Sequence, residues 1–443
     1  MRRLDFRSRH PLNRAKRGRP ALRRFIHVRA LVVSGFGSSV LRILAFHRGT
    51  WACGDRVPLL ATSPRAEYRV RFTQDFQAVI MSDQTRVDLP NRRTFLKAAG
   101  TAAVALGAHA STIASQSSGQ AAAPVRFGVD MYSLNAQNWT PFQQLEFAAK
   151  WNVKMVHFSE IRFLGTLEPD HLRRVRARAD ELQIDIEIGM RSICPTSAMF
   201  DKAQGTAEEQ LGRMIDAAKI VRSPIVRAVL GSAADRRDGI DRHIDSMVTV
   251  LKNSRGRLVD AGVKVAIENH AGDMQARELK RLIESAGPDY VGVCLDSGNP
   301  VWTIEDPHLT LETLSPYVLT SHMRDSALWN TPEGAAVRWT RMGEGNMGMD
   351  NYLRTYIQKC PGRAVSLEII VSNQPRIVNY RDPKFWDLYR TTPAWEFARF
   401  LTLCEKGKPI LEPSPDPAVS PAARQLANVE ASIRWTQAFL ATL

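Results

Sequence analysis

The stretch "VKVAIENH", residues 263–270, runs through five mostly apolar positions straight into a glutamate, an asparagine and a histidine. A short apolar run rich in Val and Ile is strand-like. The same pattern recurs on either side. "VRFGVDMYSL" begins at 125, "VKMVHFSE" at 153, "IDIEIGM" at 184 and "PIVRAVLG" at 224; after 263 come "YVGVCLDSGN" at 290, "YVLTSHMRD" at 317 and "AVSLEII" at 364. Each run is followed by a stretch long enough for a helix. The eight starts lie 27 to 47 residues apart, the length of one strand, one loop and one helix. Eight such units predict an α/β fold of the (β/α)8 TIM-barrel type over residues 125–405. "PFQQLEFAAKW" and "RELKRLIESAG" carry apolar residues at helical spacing, the second with a Gly stop. A doubly wound open sheet is the alternative, but no G-x-G-x-x-G follows the first run.

In such a barrel the chemistry sits where strands enter their following loops. Four consecutive runs end there in Glu268, Asp296, His322 and Glu368. Taken singly, an acidic residue at a strand end can cap the next helix, and a lone histidine is an ordinary core group. Taken together, three converging carboxylates repel one another unless a cation neutralises them. Three oxygens and one nitrogen suit Mn²⁺, Mg²⁺ or Co²⁺, with Zn²⁺ and Fe²⁺ also open. Further polar residues are expected on the same rim as substrate-binding groups: His157 and Glu160 after strand 2, Glu187 on strand 3, Asn269 and His270 after Glu268, Asn299 after Asp296, Arg324 after His322, and Arg341 before "MGEGN". His157 reads equally as core packing, and Arg324 as an ion-pair partner of Asp325 or Asp296. Trp302 can stack on a sugar face or simply pack.

"AIENHAGDM", "GVCLDSGNP", "YVLTSHMRD", "MGEGNMGMD" and "SLEII" resemble the xylose isomerase-like TIM-barrel superfamily, more narrowly its sugar phosphate isomerase/epimerase proteins, over roughly residues 125–405. In the ketose 3-epimerase branch, a Glu, Asp, His, Glu set from these strands binds one divalent metal, and the two glutamates move protons at the epimerised carbon. The resemblance therefore implies Glu268, Asp296, His322 and Glu368 as metal ligands, with Glu268 and Glu368 also catalytic. It departs at Asn299, where the epimerases carry a histidine, and at Glu344 in the G-x-G loop. A metal on two adjacent oxygens of a hydroxy-ketone acidifies the intervening C–H and stabilises an enediolate. Proton return to the same carbon epimerises, return to the neighbour isomerises, and loss of a β-oxygen makes a lyase or hydratase acting on keto-sugars or glycosides. One site serves all three, and the sequence leaves the choice and the substrate open.

Residues 1–80 hold 16 Arg and one Lys against four acidic groups, a net of +13 out of +15 for the whole chain. The strong positive charge thus belongs to this stretch, which reads either as a disordered basic extension or as upstream DNA translated from too early a start codon. Met81 stands ten residues before "NRRTFLKAAG" (91–100). Residues 81–110 have a basic start, a short apolar run and an Ala108-x-Ala110 site, and resemble a twin-arginine export signal. Thirteen apolar residues are too few to span a bilayer, which needs about 20, so no stable membrane anchor is expected. Residues 111–124, "STIASQSSGQAAAP", read as a linker. The expected partners are the twin-arginine machinery and a small carbohydrate or polyol, in a periplasmic or exported protein, and not nucleic acid.

The C-terminal part, 406–443, reads as a Pro-rich linker and a helix whose stripe of Leu426, Val429, Ile433, Leu440 and Leu443 packs on its own barrel or forms a homodimer contact. Five scattered cysteines (Cys53, Cys194, Cys294, Cys360, Cys404) show neither a disulfide framework nor a zinc knuckle, and Cys294 reads as a buried small hydrophobe. Two other classes fit the sequence less well than a sugar isomerase or epimerase. A DNA-repair nuclease of the endonuclease IV type would bring a trinuclear zinc site with more histidines than the six after residue 124. A non-catalytic carbohydrate binder has no need of three converging carboxylates.

Overall fold

A computed structural model describes residues 125–410 and 416–443 of the chain. The basic stretch 1–80, the signal 81–110, the linker 111–124, Cys53 and part of the Pro-rich linker lie outside the described residues. The strands, in chain order, are β1 Phe127–Asp130, β2 Met155–Phe158, β3 Asp185–Ser192, β4 Ile225–Val229, β5 Lys264–Glu268, β6 Val291–Asp296, β7 Val318–His322, β8 Asp325–Asn330, β9 Ala335–Thr340, β10 Val365–Leu367 and β11 Arg376–Val378. β1 to β7 run in sequence order with β10 beside β1, every pairing parallel. Each of the eight apolar runs contributes one of these strands. Met323, just past β7, bridges Leu367, and the Glu368 amide donates to the Met323 carbonyl (3.0 Å), so the eight strands come round into a barrel. The runs form strands because both faces are covered: Val129, Val156, Val226, Val265 and Val293 have no exposed surface.

The helices between the strands start and stop where side chains satisfy their ends. Pro141–Lys150 and Ala207–Val221 open on reciprocal capping boxes, Thr140 with Gln143 and Thr206 with Glu209. Ala276–Ala286 stops at Gly287, whose φ of 137° suits a residue without a Cβ. Two helices follow the barrel, Ala394–Lys406 and Pro421–Leu440. The second packs on its own chain. Val429 and Ile433 are fully buried, Gln425 accepts from the Ala136 amide (2.8 Å) and Gln437 donates to the Trp151 carbonyl (2.6 Å). Leu443 departs from the expected stripe: it lies beyond the helix end and is 55 % exposed.

One element was not anticipated. Immediately after β7 the chain makes an antiparallel hairpin, β8 with β9, and β11 adds to β9 to form a separate three-stranded sheet. The four described cysteines are free and buried. Among the described residues no helix is long and apolar enough to cross a membrane.

Candidate metal centre

Glu268 ends β5, Asp296 ends β6, His322 ends β7 and Glu368 follows β10. Each offers one ligand atom, and these four atoms lie within 4.8 Å of one another. All four side chains are buried, three of them completely and Glu368 to 5 % exposure. His322 Nδ1 is 3.1 Å from Glu268 Oε2 and 3.3 Å from Glu368 Oε2, and has no hydrogen-bond partner although it is buried. A lone pair facing carboxylate oxygens is repulsive unless a proton or a cation lies between them. The donor set and the unpartnered nitrogen together fit a divalent cation.

Two arginines also enter this cluster. Arg324 meets both Asp296 and Glu368, with its guanidinium 4.6 Å from the Trp339 ring centre. Gly298 makes room for it, since a Cβ there would come within 2.3 Å of Arg324 Cγ. Arg227, in the middle of β4, reaches Glu268 Oε2 through Nε (2.6 Å) and Nη2 (2.5 Å), and donates from Nη1 to the Met190 carbonyl (3.2 Å). Nothing in the reading of motifs had singled out Arg227. Its signal was a charge inside an otherwise apolar run, which a strand buried on both faces tolerates only when the charge is paired.

The charges set the protonation states. Burial pushes Glu268 up, but Arg227 and His322 outweigh it and hold the carboxyl well below the usual range. Burial raises Asp296 to about 6 against the pull of Arg324, with Glu268 adding to the rise. On His322, burial disfavours the charge, yet the carboxylates of Glu268 and Asp130 raise the ring well above the ordinary imidazole range. In the absence of metal an imidazolium and two guanidiniums neutralise the carboxylates. Burial raises Cys294 to about 11, so this thiol stays protonated, as a small buried hydrophobe would.

The other sequence-selected residues divide by distance from the quartet. Asn299 donates from Nδ2 to Glu268 Oε1 (3.2 Å), and its backbone amide and that of Gly298 donate to Asp296 Oδ1 (2.8 and 2.7 Å). Asn269 exchanges two hydrogen bonds with the backbone of Asp296 (2.8 and 2.9 Å) and so ties β5 to β6. His270 turns its Nδ1 to the Gly231 carbonyl (2.7 Å). His157 is fully buried with Nδ1 3.0 Å from His322 Nε2. Glu187 sits lower in the barrel, accepting from Thr320 Oγ1 (2.5 Å). Glu160 pairs with its neighbour Arg162 (2.5 Å). Arg341 follows β9 and donates to Asn428 on the C-terminal helix (2.8 Å), with Glu344 beside it at 3.5 Å. The structure therefore brings His157, Asn269, Asn299 and Arg324 against the quartet; Glu187 reaches it only through His157, whose Nδ1 is 3.9 Å from its Oε2, and the recorded partners of Glu160, His270 and Arg341 lie elsewhere. Trp302 packs edge-on against Trp339, 5.4 Å between ring centres. Asp130, at the end of β1, was also missed; its Oδ2 is 3.2 Å from His322 Nε2.

A barrel of eight parallel strands with a polar, charge-balanced cluster at its C-terminal rim defines a class, and the chain belongs to the xylose isomerase-like TIM barrel family, whose model matches residues 145–384. It is 22 % identical over 183 residues to 3-oxo-isoapionate decarboxylase of Pectobacterium atrosepticum, a match covering 41 % of this chain and 60 % of that protein. It is 24 % identical over 262 residues to the uncharacterized protein YihM of Escherichia coli, covering 58 % and 71 %. Among solved structures it is similar to a xylose isomerase-like TIM barrel protein from Mycobacterium smegmatis in complex with magnesium, at 15 % identity and a TM-score of 0.44, covering 56 % of this chain and 92 % of that one.

Proposed function

We propose that this chain is a divalent-metal-dependent enzyme that isomerises or epimerises sugar-type hydroxy-ketones by taking a proton from the carbon beside a carbonyl. The observation that carries the reading is the convergence of Glu268, Asp296, His322 and Glu368, with ligand atoms within 4.8 Å of one another. These four residues would hold one ion, and Mn²⁺, Co²⁺ or Mg²⁺ suits the three-oxygen, one-nitrogen set best. Such an ion supplies Lewis-acid polarisation to adjacent hydroxyl and carbonyl oxygens. Glu268 and Glu368 come from different strands and are the proton carriers. Each faces a guanidinium, Arg227 for Glu268 and Arg324 for Glu368; for Glu268 this holds the carboxyl ionised as a base and favours return of the proton it takes. Arg324 also offers positive charge beside the oxygens on which negative charge develops. Asn299 holds Glu268 and, through its backbone, Asp296, so the carboxylates do not need to reorganise as charge moves.

A second reading uses the same site. The named relative is a decarboxylase of a 3-oxo acid. Loss of CO₂ from such an acid leaves its bonding electrons in an enolate, which a protonated glutamate then quenches. Both readings are tested with the metal-loaded protein in deuterated solvent. Proton abstraction predicts deuterium at the carbon beside the carbonyl of recovered ketose, lost in Glu268→Gln and Glu368→Gln even where metal is retained. Decarboxylation predicts CO₂ release from oxo-sugar acids and deuterium in that product only. Asp296→Asn and His322→Ala should chiefly weaken metal binding. Wild-type protein that holds no metal, or four variants that turn over substrate like the wild type, would overturn the enzyme reading. We propose in addition export by the twin-arginine route with cleavage near Ala110 and Ser111. N-terminal sequencing of periplasmic protein tests this, and a start upstream of Met81 contradicts it.

A further inference from the structure

We infer that Asp130 is the positioning residue for His322: its carboxylate takes the hydrogen on Nε2 and so leaves Nδ1 free to face Glu268, Asp296 and Glu368. The inference rests on the metal-centre reading above. Asp130 closes β1 and His322 closes β7, strands separated in the barrel only by β10. His322 Nε2 lies 3.2 Å from Asp130 Oδ2 and 3.0 Å from His157 Nδ1; Nδ1, on the other side of the ring, looks at Glu268 and Glu368. A neutral imidazole carries one hydrogen and one lone pair. With the hydrogen on Nδ1, the Nε2 lone pair would oppose a carboxylate oxygen at 3.2 Å, where neither side chain has any exposed surface to admit water. With the hydrogen on Nε2, that conflict disappears and the Nδ1 lone pair is aimed into the quartet.

His157 cannot impose this choice. Its Nδ1 can donate to or accept from His322 Nε2 and lies farther from carboxylate oxygens, 3.9 Å from Asp130 Oδ2 and from Glu187 Oε2, than the 3.2 Å between His322 Nε2 and Asp130, so it accommodates either tautomer of His322. Asp130 when ionised is an acceptor only. It is itself held: Oδ1 accepts from Ser159 Oγ (2.9 Å) and from the Tyr132 amide (2.6 Å), which turns Oδ2 towards His322. Oδ2 is buried and makes no hydrogen bond of its own; it faces His322 Nε2 at 3.2 Å and His157 Nδ1 at 3.9 Å. A carboxylate behind a metal-binding histidine sets its orientation and basicity, and its loss typically weakens metal binding about 10- to 100-fold.

The test uses Asp130→Asn, which keeps an oxygen to accept from the Tyr132 amide, with Asp130→Ala alongside. Mn²⁺ dissociation constants come from chelator competition. The His322 tautomer comes from ¹⁵N NMR of histidine-labelled protein, both loaded with diamagnetic Zn²⁺ and metal-free at a pH high enough for the ring to be neutral. We expect hydrogen on Nε2 in the wild type, and in Asp130→Asn a 10- to 100-fold weaker Mn²⁺ affinity with an unchanged melting temperature and a shifted Nε2–H resonance. A wild-type ring with its hydrogen on Nδ1 overturns the inference. So does Mn²⁺ affinity within about twofold of wild type in both variants. Wild-type protein that binds no Mn²⁺ overturns the metal-centre reading instead, and the metal-free spectra still decide which nitrogen Asp130 faces.

Discussion

Arg227→Met leaves the Glu268 carboxylate in a fully buried position without the guanidinium that now meets it through two nitrogens at 2.6 and 2.5 Å. Asn299 Nδ2 (3.2 Å) and the His322 imidazolium (3.1 Å) stay, but the guanidinium, one of the two cations facing Glu268, is gone. Removing one partner of a buried ion pair costs about 3–5 kcal/mol, because the other charge remains in a low-dielectric site. A shift of roughly 2 °C per kcal/mol, fitting a domain this large, makes the expected drop in melting temperature of metal-free protein about 6–10 °C. A divalent cation at the quartet replaces the missing charge. At 100 times its Kd such a ligand stabilises the folded state by about 2.7 kcal/mol, and the variant should gain more than the wild type because its Glu268 has one competing cation fewer. Calorimetry of both proteins with chelator and with Mn²⁺ therefore predicts a gap that narrows by at least half when metal is added. A gap below about 1 kcal/mol without metal, or one that Mn²⁺ leaves unchanged, would refute the argument that Arg227 stands in for the ion.

Other expectations follow from the same charges. Metal binding displaces a proton from His322, raised well above the ordinary range, and below about 6 another from Asp296; Mn²⁺ affinity should fall with falling pH, by about tenfold per pH unit where one proton is displaced and more steeply below about 6, and a flat profile in chelator competition would contradict this. Glu305 is buried where it accepts from the Ala276 amide and Thr310, and burial raises it to about 7. A carboxyl whose folded pKa is raised stabilises the fold at low pH and gives that stability up as pH rises from about 4.5 to 7, here by ~3 kcal/mol. Denaturant titrations of Glu305→Gln should show extra stability at pH 8 and none at pH 4, and an equal effect at both would count against the shift. Arg341→Ala removes a half-exposed contact to the C-terminal helix, so it should leave Mn²⁺ affinity unchanged and cost under about 1 kcal/mol; a tenfold loss of affinity would place Arg341 at the metal centre after all.

The barrel was legible because its strands are buried on both faces, so each reads as an unbroken apolar run that ends abruptly in polar residues. Glu268, Asp296, His322 and Glu368 stand at those ends, which is why they could be chosen before any geometry. The β8–β9 hairpin escaped because "DSALWN" and "AAVRWT" sit directly behind a run already assigned to β7, where the barrel pattern calls for a loop and a helix. The third strand of that sheet, β11, follows β10 in the chain and pairs with β9, a pairing no local pattern announces. Asp130 and Arg227 were hidden for a related reason. Both lie inside runs read as strands, and a charge there shows its purpose only through a partner on another strand: His322 on β7 for Asp130, Glu268 on β5 for Arg227. Arg341 illustrates the opposite case, since its place beside a glycine-rich loop suggested the rim and its side chain instead meets Asn428, 87 residues further along the chain.

The central claim is that Glu268, Asp296, His322 and Glu368 together hold one divalent cation. Anomalous diffraction at the manganese edge from crystals of Mn²⁺-loaded protein measures this directly. The account predicts a single strong peak in coordinating contact with an atom from each of the four side chains, absent in crystals of Asp296→Asn grown in the same Mn²⁺ concentration. No peak at the quartet in wild-type crystals, or a peak held by other residues while the quartet keeps its ion pairs to Arg227 and Arg324, would contradict it.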